Sequence, residues 1–246
     1  MDFYQSLSPF YDEMIDFEAR LKKEKPFFKK IVYSKKIKSA LDIGCGTGLH
    51  SILLSELGIE SWGIDRYPEM IKVAKENAKR KNVKAKFRKL GFENWHLNIK
   101  RNFDSIFCLG NTLPHSLSKN KLKSIIKNVY NRLSAEGIFV IQILNYDRVM
   151  KLKERILSIK RVKNHTFIRF YDFFKNLINF NILILSEENK KNGYKLITTK
   201  LRPIYKDELV NIIIETGFKR VKCYSDFEKN RFYKNKSKDL VVIAEK

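Results

Sequence analysis

From Lys38 to Leu144 the chain alternates short apolar runs with amphipathic stretches of helical period, and this alternation constrains the fold more than any other feature. An apolar run too short for a helix, then a helical stretch, then another apolar run is the pattern of β–α–β units, whose strands lie parallel. Strands are expected over 39–43, 60–65, 83–90, 103–109 and 137–144, with helices near 48–57, 68–80 and 119–133. The punctuation agrees. Gly58 stops the first helix, and Pro68 opens the second, where the N–H it lacks would have no partner. Residues 1–36, rich in aromatics and Lys, read as helical segments ahead of the sheet.

After Asp147 the rhythm changes. A helix is expected near 148–159, followed by β runs over 166–174, 177–186 and 194–201. The last two are joined across Asn192-Gly193, a hairpin turn signal. A helix near 206–216, stopped by Gly217, leads to strands over 220–224 and 239–244. The expected class is α/β: a doubly wound, seven-stranded, mostly parallel sheet with an antiparallel β insertion after the fifth strand. A length of 246 residues suits one such domain, with 1–36 as an N-terminal helical segment and 160–203 as an insertion that forms a lid.

The formal net charge is +23, a value often met in proteins that bind nucleic acid. Lys outnumbers Arg 37 to 13, and the charge divides as +11 over 1–150 and +12 over 151–246. An even, Lys-rich distribution lacks the concentrated arginine that grips phosphate in bidentate fashion, so a solvated surface is favoured over a nucleic-acid footprint. No apolar run reaches membrane-spanning length, and the first residues are acidic and aromatic, unlike a secretory signal. No membrane partner is expected, and a cytoplasmic location is. Cys45, Cys108 and Cys223 are odd in number and widely spaced, which suits a reducing compartment and offers neither a disulfide frame nor a metal knuckle. No bound metal is expected.

The run Ala40-Leu41-Asp42-Ile43-Gly44-Cys45-Gly46-Thr47-Gly48 is an apolar strand ending in a Gly-rich turn that opens a helix. Glycines there let the backbone approach a ligand closely. Asp65 follows Gly44 by 21 residues, at the end of the next strand, where a carboxylate can accept hydrogen bonds from two ribose hydroxyls. The spacing Gly44-x-Gly46-x-Gly48 lacks the third glycine of a dinucleotide fingerprint, Leu49 standing in its place. Asp42 would repel a pyrophosphate and attract an ammonium, directly or through water.

This stretch resembles the first motif of class I S-adenosylmethionine-dependent methyltransferases, whose D-I-G-C-G-T-G it matches at every position. The resemblance implies a Rossmann-like fold and S-adenosyl-L-methionine as cofactor, held by Asp42, Gly44, Cys45, Gly46, Gly48 and Asp65. It places Arg66 and Met70 beside the adenosine and the turn Leu90-Gly91-Phe92 near the adenine, although the acidic residue many relatives carry there is missing. The fourth strand ends Leu109-Gly110-Asn111-Thr112-Leu113-Pro114-His115 and the fifth Leu144-Asn145-Tyr146-Asp147. Both look like the glycine and sarcosine N-methyltransferase branch. That likeness implies that Leu109 and Gly110 flank the cofactor, that Asn111 contacts substrate or the methionyl end, and that His115 shapes the pocket. The N-terminal pattern of Tyr4, Tyr11 and Asp12 resembles one that folds over the cofactor, where aromatic rings attract a sulfonium.

Those relatives carry an arginine for the substrate carboxylate where this chain has Leu144. The expected acceptor is therefore a small molecule, an amine or phenol without a carboxylate, unless Arg148 or Arg169 substitutes. Methyl transfer from a sulfonium depends chiefly on orientation and exclusion of water, with His115 or Tyr11 available as proton acceptors. Two other readings stay open at this point: an RNA methyltransferase, and a cofactor-binding protein without catalysis.

Overall fold

In the computed structural model, residues 2–188 and 191–246 are described. Helices α1 (Phe3–Leu7), α2 (Tyr11–Ile15) and α3 (Phe17–Ser34) come first. Asp16 separates the last two: its φ of +57° breaks the helix, and its carboxylate accepts the Ala19 N–H as an N-cap. The alternating region then folds as β1 (Ser39–Ile43), α4 (Leu49–Glu56), β2 (Glu60–Asp65), α5 (Pro68–Arg80), β3 (Lys86–Lys89), α6 (Trp95–Asn98), β4 (Phe103–Cys108), α7 (Lys119–Arg132) and β5 (Leu133–Leu144). Next come α8 (Tyr146–Leu152), β6 (Ile156–Val162), β7 (His165–Phe173), β8 (Ile178–Glu188), β9 (Lys191–Leu201), α9 (Lys206–Thr216), β10 (Arg220–Tyr224) and β11 (Asp239–Glu245).

Among the described residues, seven strands form one sheet in the order β10-β11-β5-β4-β1-β2-β3. The five strands from β1 to β5 are parallel, and β11 runs antiparallel to both β5 and β10. Every residue of β1 is buried, as expected for a central strand covered by helices on both faces. The order reverses between β1 and β4, so the loops leaving their carboxyl ends diverge and open a crevice there. A second, four-stranded antiparallel sheet, β6-β7-β8-β9, lies over that edge with α1 and α2 packed beneath it. Phe3, Leu7 and Met14 of the helices share an apolar cluster with Phe167, Ile182 and Ile197 of the strands. No helix of the described residues is long and apolar enough to cross a membrane.

Three expectations are corrected. The helix expected near 148–159 ends at Leu152, and Ile156–Val162 is strand β6, paired with β7. Ile156, Leu157 and Ile159 fit either period; the unpaired edge of β7 decides the matter, because tertiary pairing outweighs local propensity. Asn192 and Gly193 do not turn the chain but pair within β9 opposite Glu187 and Ser186 of β8. The third strand is shorter than 83–90, and the one-turn helix α6 follows it.

Candidate active site

The loop after β1 is bound to the neighbouring strand. Gly44 and Cys45 donate their N–H groups to the Ile64 carbonyl at 2.8 and 2.9 Å, and Gly46 donates to Asp65 Oδ2 at 3.0 Å. Gly46 has a φ of +54°, and a Cβ placed on it would lie 3.6 Å from the Tyr11 ring. Any side chain there would enter the gap between loop and ring, a strained conformation in a ligand's space. This gap belongs to a cavity of about 390 Å³ whose walls include Gly44, Cys45 and Gly46, with Asp65 and Arg66 from the end of β2. Its far side is closed by Leu90 and Phe92 after β3, and its near side by Leu109 and Gly110 after β4.

Asp65 is half-buried, and desolvation pushes its carboxyl up to about 6 despite the bonds it accepts from the Tyr67 and Gly46 N–H groups. A carboxylate has about four acceptor positions, so two remain for hydroxyls of a ligand. Burial likewise pushes the Cys45 thiol well up, which leaves a neutral wall residue.

Four expected cofactor ligands lie elsewhere. Asp42 is only 1% exposed, accepts a hydrogen bond from Ser51 Oγ at 3.2 Å and does not line the cavity. Its carboxylate serves the first turns of α4, where burial raises its pKa. Met70 of α5 is 0% exposed and does not line the cavity. Gly48 caps α4 at φ +89° with its α-carbon against Phe87 and Ala74. Gly91 makes the turn between Leu90 and Phe92 without reaching the wall.

The small cavity adjoins a larger one of about 850 Å³, and Tyr4, Tyr11, Arg20, Gly110 and His115 line both. Both volumes are in the range of small-ligand sites. Asn111 faces the larger cavity in a left-handed conformation, φ +65°, uncommon for a residue with a side chain. It is held there by two bonds: Nδ2 donates to the Tyr146 hydroxyl at 2.9 Å, and Oδ1 accepts the Leu144 N–H at 3.1 Å. The sequence motifs after β4 and β5 are thus joined in space.

His115 Nε2 lies 2.9 Å from the Tyr4 hydroxyl, which sits 5.2 Å, ring to ring, from Tyr67. Burial, reinforced by the Arg66 charge, lowers His115 to about 4, so its ring is neutral where Nε2 meets the Tyr4 hydroxyl. Burial raises the Tyr11 hydroxyl. The Tyr4 contact engages the Nε2 of His115, and Tyr11 keeps its proton. Arg148 pairs with Glu154 and does not line the larger cavity, whereas Arg169 of β7 does.

Several wall residues escaped sequence reasoning. Tyr67, whose hydroxyl donates to Asp2 Oδ1 at 3.2 Å, follows Asp65-Arg66 directly. Gln142 is a polar residue inside the apolar run of β5, a visible signal, and Asp239 opens β11 beside it. Lone aromatic and acidic residues at strand ends carry no sequence mark of their own.

These features suit an adenosyl sulfonium with an amino-acid end: a carboxylate with spare acceptor capacity, an open glycine loop and aromatic rings around the junction. A family model described as a methyltransferase domain matches residues 40–137. The chain is 30% identical over 226 residues to the glycine/sarcosine N-methyltransferase of Aphanothece halophytica, covering 89% of this chain and 80% of that protein. It is 25% identical to the protein of that name from Halorhodospira halochloris, over 96% of this chain and 85% of the relative. The crystal structure of an S-adenosylmethionine-dependent methyltransferase from Clostridium acetobutylicum superposes with a TM-score of 0.84 at 18% identity, covering 98% of each chain, a likeness of fold. The chain therefore belongs to the class I S-adenosylmethionine-dependent methyltransferases, on the glycine/sarcosine N-methyltransferase branch, and is an enzyme whose methyl donor is S-adenosyl-L-methionine.

Proposed function

We propose that this enzyme methylates the nitrogen of a small amine that carries a carboxylate, the class to which glycine and sarcosine belong. The observation behind the reading is Arg169. Its side chain lines the larger cavity and donates through Nε to Ser158 Oγ at 2.7 Å, and no carboxylate pairs with it among the described residues. Burial lowers its pKa, the mark of a cation held away from water without a counter-ion. An acceptor carboxylate supplies that counter-ion in bidentate geometry. Arg169 thus replaces, from a different strand, the arginine that the resemblance places at Leu144, and the acceptor without a carboxylate inferred from Leu144 is abandoned.

In this reading the donor occupies the smaller cavity. Asp65 takes the ribose hydroxyls, Leu90 and Phe92 flank the adenine, and Gly44, Cys45, Gly46, Leu109 and Gly110 surround the methionyl end, with Arg66 beside the adenosine. S-adenosylmethionine, when bound, supplies an electrophilic methyl carbon on a sulfur that leaves without protonation. The protein's task is to set the acceptor nitrogen on line and keep water out, through Asn111 on the substrate side and the Tyr4, Tyr11 and His115 wall between the cavities.

Incubation with methyl-labelled S-adenosylmethionine and a panel of glycine, sarcosine, alanine, ethanolamine and methylamine tests the reading. Label is expected in the carboxylated members. Label confined to ethanolamine or methylamine, or absent from the whole panel, refutes it, and label in bulk tRNA instead would favour the RNA reading.

A further inference from the structure

We infer that Asp239 receives the acceptor's ammonium group and takes its proton, leaving the nitrogen lone pair free to attack. The inference rests on the reading of the larger cavity as the acceptor site.

Because β11 runs antiparallel, its first residue lies at the edge where the parallel strands end, and Asp239 is in register with Leu144, the last residue of β5. Its side chain lines the larger cavity together with Gly110, Asn111 and Arg169. Oδ1 accepts a hydrogen bond from Gln142 Nε2 at 2.8 Å, and Gln142 Oε1 in turn accepts the Gly110 N–H at 2.7 Å. Gly110 belongs to the wall shared by both cavities, so a single side chain separates Asp239 from the junction. The carboxylate has no other hydrogen bond and no ion pair among the described residues.

The charged and titratable groups around it come from three sides: Arg20 and Glu24 of α3, Asp226 of the β10–β11 connection and Tyr171 of β7. Arg20, the cation among them, donates to Glu24 at 2.9 Å and is already satisfied. A carboxylate without a cation and a guanidinium without an anion therefore line one cavity, the complement of a zwitterion. Burial raises the Asp239 carboxyl above its ordinary value, which brings its proton affinity closer to that of an amine. His115 does not compete for the role because its Nε2 is engaged with the Tyr4 hydroxyl, and Tyr11 is a phenol that burial keeps protonated.

The step balances. An N–H bond of the ammonium breaks and its electron pair stays on nitrogen; the proton bonds to the Asp239 carboxylate. That pair then forms the nitrogen–carbon bond while the carbon–sulfur pair leaves with sulfur. One proton is released to solvent for each methyl transferred.

The test compares wild type with Asp239→Asn, which keeps the shape and whose Oδ1 still accepts from Gln142 Nε2, leaving the Gly110 bond to Gln142 Oε1 in place. Thermal melting and S-adenosylmethionine binding should be unchanged in the variant. Sarcosine binding to the S-adenosylhomocysteine complex, read by calorimetry, should weaken about tenfold or more as one charged hydrogen bond is lost. The kcat/KM for glycine or sarcosine should fall about 100-fold or more at pH 7. The deficit should shrink as pH rises toward about 10, where the amine arrives neutral, and Asp239→Glu should recover part of it. A variant equal to wild type at every pH, or a loss that does not shrink at high pH, overturns the inference while leaving the acceptor reading intact. A wild type inert on both amines overturns that reading, and the inference with it.

Discussion

Arg169→Leu separates the two halves of the acceptor argument, because the residue should matter greatly for catalysis and little for folding. Truncating one member of a buried charge pair costs about 2–5 kcal/mol in a complex. At about 1.4 kcal/mol per factor of ten, kcat/KM for a carboxylated amine should fall between roughly 30-fold and a few thousand-fold. Folding follows different arithmetic. Among the described residues the guanidinium has no carboxylate partner, so its removal relieves a desolvation cost and sacrifices one hydrogen bond to Ser158, worth about 1 kcal/mol. The two effects oppose, and Tm should move by less than about 4 °C in a chain of this size. Methyl transfer to glycine and to ethanolamine, measured beside a thermal melt, reads all three quantities. Equal losses on both acceptors would refute the carboxylate contact. A melt lowered by many degrees would show Arg169 to be structural. Arg169→Lys keeps the charge without the planar fork and should fall between the two.

Asp65→Ala should weaken S-adenosylmethionine binding about 100-fold or more, since two charge-assisted hydrogen bonds to hydroxyls are lost; unaltered binding removes Asp65 from the site. The same carboxyl, raised to about 6, must be ionised to accept from both hydroxyls, so affinity should rise with pH through about 6, and a flat titration contradicts this. Glu24 behaves oppositely. Burial acts to raise it, but the His50 hydrogen bond and charge, joined by Arg20, outweigh burial and lower it to about 2. A carboxyl depressed in the folded state contributes stability above its unfolded value of about 4.5 and loses it as pH falls toward 2, roughly 3 kcal/mol in all. Glu24→Gln should flatten that acid limb of a denaturation series, and an unchanged limb would assign the acid sensitivity elsewhere.

The parallel core was legible because a strand buried on both faces is an unbroken apolar run, and a run of five residues such as Ser39–Ile43 is too short for anything else. The meeting of the glycine loop with Asp65 was legible because a Gly-rich turn after one parallel strand and a carboxylate at the end of the next lie side by side at the same sheet edge. Legibility failed where local pattern was degenerate. Ile156, Leu157 and Ile159 suit a helix or an edge strand until β7 is present to pair with them. Resemblance places Met70 beside the cofactor, yet its side chain is wholly buried on α5 and absent from the cavity wall. Asp42 carries the motif's charge, but its neighbour Ser51, one helical turn into α4, was not recognised as the group that claims it. Asp239 was beyond reach for another reason: its nearness to Gly110 depends on the antiparallel return of β11, a register that no local window contains.

The charge of the whole molecule bears on these sites. A formal +23 should repel a donor with one net positive charge, yet the family's donor is such a cation. The conflict is resolved by range. At about 0.15 M salt the Debye length is about 8 Å, so distant lysines are screened and the groups of the cavity wall decide binding; at about 0.01 M it is about 30 Å and the whole surface acts. Within the smaller cavity Asp2 and Asp65 stand against Arg66, Lys200 and Arg20, the last already paired with Glu24. S-adenosylhomocysteine has the same shape without the sulfonium charge, so the ratio of the two affinities isolates that charge from every shared contact. Raising salt from about 0.01 to 0.15 M should shift the ratio toward S-adenosylmethionine, since screening removes repulsion that only the cation feels. A shift the other way would mean that attraction by the local carboxylates exceeds the field of the whole surface, and that the lysine-rich exterior has no influence on which of the two molecules the cavity holds.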